Sequence, residues 1–242
     1  MNKLNQRYIV YGSSVIGTCH KKKLLPNQDC FLTEIQHNFI SVIVSDGVGS
    51  KPHSDIGSYW ACKCLNQVFH EYQNDNKTAS LNALLKYHKS LWEYKISPLA
   101  PNDCSATLLF AVILGKQLFV GRLGDGMICL KQKKGFTILT EAKDDSFSNI
   151  TNCLNNKTRY SDWELLVCET RDLEFVLLAT DGIADDIESN ELKESFAIEF
   201  NKTIVNTKNS SRTNKINSIL NDWPPNFNGD DKTIAAISLK KG

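Results

Sequence analysis

Five aspartates are spaced so that their carboxylates could act together. They stand in Asn27-Gln28-Asp29, Ser45-Asp46-Gly47, Leu123-Gly124-Asp125-Gly126, Thr180-Asp181-Gly182 and Gly229-Asp230-Asp231. Each lies at one end of an apolar run, and most adjoin a glycine. One Asp-Gly pair alone reads as an ordinary turn, because glycine accepts positive φ and aspartate hydrogen-bonds the local backbone. Five acids at strand ends, spread along the chain, predict one shared cluster instead. Such a cluster repels itself unless cations neutralise it. An all-oxygen ligand set favours Mg²⁺ or Mn²⁺ over zinc. The pattern implies a metal-dependent hydrolase, with phosphate as the fitting substrate chemistry.

The elements that must position these acids follow from periodicity. Residues 7–17 and 30–35 read as strands, joined by a loop through Lys21-Lys22-Lys23 and Pro26-Asn27. Residues 39–44 form an apolar strand that runs straight into Asp46. Ser54 suits a helix N-cap, with Asp55 in the first turn. Ile56, Trp60, Cys64, Leu65, Val68, Phe69 and Tyr72 then recur at helical spacing. A second helix carries Leu81, Leu84, Leu85, Leu91 and Trp92 and ends before Pro98. Residues 108–114 make a strand, Gly115-Lys116-Gln117 a turn, and residues 118–120 lead back to Asp125, which marks a hairpin junction. Residues 127–130 lead away from it as a further strand. Residues 141–161 are polar and read as a long loop or lid. Residues 163–169 and 175–180 read as an antiparallel pair ending at Asp181. Helices follow near 189–203 and 211–222, with the Asn-rich stretch 201–217 as a solvated connection, and a last strand spans 233–239. Segregated strands and helices predict an α+β fold. The arrangement that fits is a four-layer α-β-β-α sandwich, two mostly antiparallel sheets flanked by helix pairs, as one domain over residues 1–242.

Composition bounds the function. Across 242 residues the net charge is +1, which argues against bulk electrostatic attraction to nucleic acid or membrane. No apolar run approaches the ~20 residues a membrane helix needs, and Met1 to Arg7 lacks the apolar core of a secretion signal. Cytoplasmic residence is the expectation. Eight cysteines lie mostly inside apolar stretches and read as reduced thiols. Cys62-Lys63-Cys64 lacks the second pair that a zinc site needs. None of the eight sits in a glycine-rich phosphate cradle followed by arginine, so a cysteine nucleophile is not indicated. His37, His53, His70 and His88 fit no ligand spacing and read as surface or helix-face residues. Arg122 is a candidate phosphate contact or a surface ion-pair residue.

The order of motifs resembles that of the metal-dependent type 2C protein serine/threonine phosphatases over nearly the whole chain. The segments that carry it are Gly12-Ser13-Ser14-Val15-Ile16-Gly17-Thr18-Cys19-His20 with Asn27-Gln28-Asp29, then Ser45-Asp46-Gly47-Val48-Gly49-Ser50 with Ser54-Asp55-Ile56-Gly57-Ser58. Asp103-Cys104-Ser105-Ala106-Thr107-Leu108, Leu123-Gly124-Asp125-Gly126, Ala179-Thr180-Asp181-Gly182-Ile183-Ala184-Asp185 and Asp230-Asp231-Lys232-Thr233 complete the set. The compact bacterial branch, with its Gln-Asp and Gly-Asp-Gly variants, is the one the chain most resembles.

By that resemblance, Asp46 bridges two Mg²⁺ or Mn²⁺ ions and the Gly47 carbonyl binds one of them. Asp181 and Asp230 complete the other site, Asp231 being the alternative one residue on. Asp29 holds an ion-bound water or reaches an ion directly, and Asp125 and Asp185 build a weaker third site. Two divalent ions ~3.5–4 Å apart can activate a shared water and clamp a phosphate, so no protein nucleophile is required. The family usually has an arginine where this chain has His20. His20 is then the candidate donor to phosphate, or the acid for the departing alkoxide. Gln28 replaces a frequent glutamate, and Gly126 a frequent serine.

The reading implied is a monomeric phosphatase of phosphoserine and phosphothreonine in phosphoproteins. Two other readings stay open: a catalytically silent binding protein of the same fold, and a phosphoesterase acting on nucleotides or other small molecules. Lys21-Lys22-Lys23 reads as a solvated loop that could attract an acidic phosphopeptide.

Overall fold

A computed structural model describes residues 4–74, 79–141, 152–224 and 229–240. Among the described residues, ten strands form two five-stranded antiparallel sheets. The first sheet is ordered β1 (Tyr8–Val15), β10 (Lys232–Leu239), β9 (Leu173–Ala179), β6 (Met127–Gln132) and β7 (Gly135–Leu139). The second is ordered β2 (Asp29–Ile35), β3 (Phe39–Asp46), β4 (Leu108–Leu114), β5 (Gln117–Leu123) and β8 (Glu164–Glu169). Helices α3 (Ser54–Asn74) and α4 (Leu81–Ile96) cover the second sheet, while α6 (Asn190–Asn206) and α7 (Arg212–Asn221) cover the first. Short helices α1 (Leu4–Arg7), α2 (Thr18–Lys23) and α5 (Asp181–Ala184) occupy strand ends. This is the expected α-β-β-α sandwich.

The central strands read as continuous apolar runs because both of their faces are buried. On β4, Leu108, Phe110 and Val112 meet α3 and α4, while Leu109, Ala111 and Ile113 face the other sheet. On β9, Phe175 and Leu177 meet α6 and α7, while Val176 and Leu178 point between the sheets. The middle core is therefore built from alternate residues of both sheets. Gly57 of α3 is required by a close approach: a Cβ there would lie 1.8 Å from the Cys104 carbonyl oxygen. That contact seats the start of α3 on the segment leading into β4.

Several expectations are corrected. The segment expected as a loop at Lys21-Lys22-Lys23 belongs to α2. Its base is fixed from outside: Gly17 N–H donates to Asp231 Oδ1 at 2.7 Å, and Cys19 N–H donates to the Gly229 carbonyl at 2.9 Å. Strands β8 and β9 do not pair with each other. β8 lies beside β5 in the second sheet, and β9 sits between β10 and β6 in the first. Strand β7 was not expected. The Asn-rich stretch 201–217 is mostly helix, because Phe200, Ile204, Ile216 and Leu220 recur on buried faces. Of the expected lid, residues 142–151 lie outside the described residues; Leu154 is buried and bridges Ala106.

The histidines separate as well. His88 is fully buried on α4, its Nε2 is 3.1 Å from the Ala61 carbonyl, and burial pulls its pKa down to about 4. His70 pairs with Glu34 at 2.9 Å and stacks on Phe39 with ring centroids 4.0 Å apart. All eight cysteines are free thiols, and Cys62 and Cys64 pack in the core under α3.

Candidate metal centre

Four chain segments deliver carboxylates to one end of the sandwich. In the β2–β3 pair, Asp29 is directly opposite Asp46. Asp181 opens α5 immediately after β9, and β3 and β9 face each other across the middle core. Gly124-Asp125-Gly126 does not close a hairpin within one sheet, as the sequence suggested. It carries the chain from β5 in the second sheet to β6 in the first, and so places Asp125 between the layers. Gly124 has φ +113°, and a Cβ at Gly126 would lie 2.6 Å from the Ala179 carbonyl oxygen, so both glycines serve this crossing.

Carboxylate oxygens of Asp46, Asp125 and Asp181 lie within 4.8 Å of one another. Asp46 is in hydrogen-bonding contact with both Asp29 and Asp181. Burial raises the pKa of Asp46 well above the usual carboxylate value, and repulsion from Asp29 and Asp181 adds to it. Burial pushes Asp29 up to about 7, against hydrogen bonds from Thr233 and Asp46 that lower it. Asp181 is also pushed up to about 7, first by burial and then by the charge of Asp125, with Asp230 and Asp185 contributing. Thus Asp125, Asp185 and Asp230 all act electrostatically on Asp181. Asp185 follows one turn along, its N–H donating to the Asp181 carbonyl at 2.9 Å.

Neutral partners hold this repulsive group in place. Thr180 Oγ1 donates to Asp29 Oδ2 at 2.9 Å, and Thr233 N–H donates to Thr180 Oγ1 at 3.1 Å. Thr107 Oγ1 accepts the Asp46 N–H at 3.0 Å. Gly47 is pinned between Gln28 and Ser54: its N–H donates to the Gln28 carbonyl at 3.1 Å, and a Cβ would lie 2.6 Å from the Ser54 carbonyl oxygen. All three threonines stand inside the motif segments, but nothing in the sequence shows which atoms their hydroxyls reach.

A second group adjoins the first. Asp231 is buried and accepts from Gly17 N–H, from Gln28 N–H at 2.6 Å and from His20 Nδ1 at 2.8 Å. A carboxylate only accepts, so His20 Nδ1 carries the proton in that bond. His20 Nε2 is 3.6 Å from Asp230 Oδ1, and the Asp230 side chain is 41% exposed. Arg122 lies outside both groups, bonded to Glu164 at 2.6 Å and to the Gly124 carbonyl.

The donor set fits hard divalent cations. Three carboxylates converge, all ligands are oxygen, and the group is partly dehydrated, so cations supply the positive charge that burial and mutual repulsion otherwise make protons supply. Gln28 Oε1 is buried nearby and accepts no hydrogen bond among the described residues, an acceptor that a cation's hydration shell can satisfy.

Comparison with known proteins agrees with this geometry. The family model described as protein phosphatase 2C matches residues 16–223, and the chain belongs to that family. It is a metal-dependent phosphatase of the type 2C class, with a Mg²⁺/Mn²⁺-type acidic centre. Solved structures share the fold. The catalytic domain of the serine threonine protein phosphatase PstP, in complex with two manganese ions, is 16% identical, with a TM-score of 0.59 over 97% of this chain and 99% of that one. A bacterial serine phosphatase is 14% identical, with a TM-score of 0.65 over 96% and 98%. A sex determining protein of C. elegans is 16% identical, with a TM-score of 0.65 over 96% of this chain and 64% of that one. No curated protein matches the sequence significantly. Among the described residues, no helix is long and apolar enough to cross a membrane.

Proposed function

We propose that the chain is one type 2C domain over residues 1–242, a cytoplasmic monomer that removes phosphate from phosphoserine and phosphothreonine in proteins. The observation that carries this reading is the convergence of Asp46, Asp125 and Asp181 from both sheets within 4.8 Å. In it, Asp46 and the Gly47 carbonyl would hold the paired ions, Asp181 and Asp230 would complete one of the sites, and Asp29 would hold an ion-bound water or reach an ion directly. Asp125 and Asp185 would build a weaker third position. The two manganese ions of the PstP catalytic domain, which has the same fold, support a pair here. When bound, such ions supply an activated water and a clamp for phosphate oxygens.

Asp230 is preferred to Asp231 as the ligand. Asp231 already accepts from three donors, whereas Asp230 acts on the charge of Asp181. Asp231 instead fixes the His20 ring, with Nε2 on the side of Asp230. From there His20, when both ring nitrogens carry a proton, donates from Nε2 to phosphate or to the leaving alkoxide. A histidine lacks the two-pronged grip of an arginine, so the ions must carry more of the phosphate binding here.

The reading is tested by release of inorganic phosphate from phosphoserine and phosphothreonine peptides with Mn²⁺. Release is expected from both; none from a protein that demonstrably binds Mn²⁺ favours a silent binding protein. His20→Ala is expected to lower kcat/KM by roughly 10²-fold, the scale of a lost proton donor in the transition state. An unchanged kcat/KM removes His20 from the reaction.

A further inference from the structure

The tip of α2 and the turn after it stand beside Asp230, and their side chains are exposed. The base of this lip is fixed: Gly17 N–H and His20 bond Asp231, and Cys19 N–H bonds the Gly229 carbonyl. Its tip is the opposite. Lys21, Lys22 and Lys23 are exposed in sequence, and none forms an ion pair with a carboxylate among the described residues. Leu24 caps the helix at φ 55°, a left-handed conformation that costs a residue with a Cβ, and it is 92% exposed. Leu25 follows at 39% exposure. The Leu24 and Leu25 N–H groups bond back to the Lys21 and His20 carbonyls, so the turn is held in this shape. Lys21, Val15, Leu220, Trp223 and Asp230 line a slot of about 50 Å³. A rigid base, three contiguous cations and two bared leucines sit on a chain of net charge only +1, so the positive field is local to the mouth of the site.

We propose that residues 21–25 are the substrate-docking lip: it receives a phosphopeptide that carries acidic residues, together with an apolar side chain, close to the phosphorylated position. The inference rests on the phosphatase reading above and adds the class of peptide selected. The lysines match the acidic run, Leu24 and Leu25 match the apolar side chain, and Lys21 shares its slot with Asp230. A polypeptide entering from this side must cross the lip.

The test compares two phosphothreonine peptides with Mn²⁺, one flanked by Asp, Glu and one Leu, the other by Lys, Arg and one Leu. The unmodified protein is expected to favour the acidic peptide in kcat/KM by about tenfold or more at low salt, a preference that salt erodes. In Lys21→Glu/Lys22→Glu/Lys23→Glu the ratio is expected to reverse. In Leu24→Ser, kcat/KM is expected to fall for peptides with the leucine but not for otherwise identical peptides lacking it. A ratio near one in the unmodified protein, or one insensitive to salt, overturns the proposal without any variant. Turnover of p-nitrophenyl phosphate with Mn²⁺ separates the two readings. If it persists while the ratio is flat, only the docking lip fails; if no ester is hydrolysed, both fail. Sedimentation with phosphatidylserine vesicles that depends on Lys21–Lys23 and Leu24, alongside a flat peptide ratio, assigns the lip to a lipid surface and also overturns the proposal.

Discussion

Asp46→Asn is expected to fold, to keep its sheets and to hydrolyse phosphopeptide at least about 10³-fold more slowly, the scale that follows when ions lose a ligand essential to transition-state charge stabilisation. Asp46 is the member of the cluster in contact with both Asp29 and Asp181, so its charge cannot be supplied by a neighbour. An amide has the same shape and keeps a hydrogen-bonding role, but it removes one negative charge from the point where the acids meet. Stability should move in the other direction. In the metal-free protein the substitution relieves repulsion, so at pH 8 its thermal midpoint is expected to equal or exceed that of the unmodified chain. The rise in midpoint on adding Mn²⁺, which measures binding to the folded state, should nearly vanish. A folded Asp46→Asn protein with ordinary turnover would contradict the assignment of this acid.

Chelation followed by titration with Mn²⁺ gives the second large effect. Activity is expected to disappear with EDTA and to return with excess Mn²⁺, and the concentration needed should depend steeply on pH. The sign follows from the raised acids. Asp29 and Asp181 hold protons up to about 7 in the metal-free fold, and Asp46 is also raised, whereas unfolded aspartates lose theirs near the usual value of about 4. Their contribution to the stability of the metal-free fold is therefore complete below about 4 and is lost as pH rises through about 7. Ions must displace these protons, so affinity strengthens as pH rises through the same range. Each proton released makes apparent affinity change about tenfold per pH unit below neutrality. Calorimetry at pH 6 and pH 8, in buffers of different ionisation enthalpy, measures both affinity and proton release. A flat affinity with no proton release would mean that the acids are already ionised before metal arrives.

The acid positions were legible in sequence because each is local: an aspartate at one end of an apolar run, in all but Asp29 beside a glycine. The layers were legible too, since apolar strands such as β4, framed by helical periodicities, demand cover on both faces. Strand pairing was less legible. Nothing in residues 163–180 announces that β8 and β9 belong to different sheets, because turn chemistry does not distinguish a hairpin from a change of layer. The same ambiguity hid the crossing at Gly124-Asp125-Gly126. Helix α2 was hidden for another reason: the bonds that hold its base, from Gly17 to Asp231 and from Cys19 to Gly229, span more than two hundred residues of chain and leave no local mark. At 201–217 the asparagines outweighed a buried periodicity that was present all along. His88 looked like any helix-face histidine until packing decided that its face is the inner one.

The passage of Gly124-Asp125-Gly126 from one sheet to the other gives the acid centre a mechanical meaning. Asp29 and Asp46 belong to one layer and Asp181 to the other, and Asp125 rides on the strap between them. An ion seated among these oxygens is a rivet through the whole sandwich. Losing the rivet leaves two halves clasped by their greasy inner faces and by a few cross-layer hydrogen bonds, such as Thr180 to Asp29 and Gln28 to Asp231.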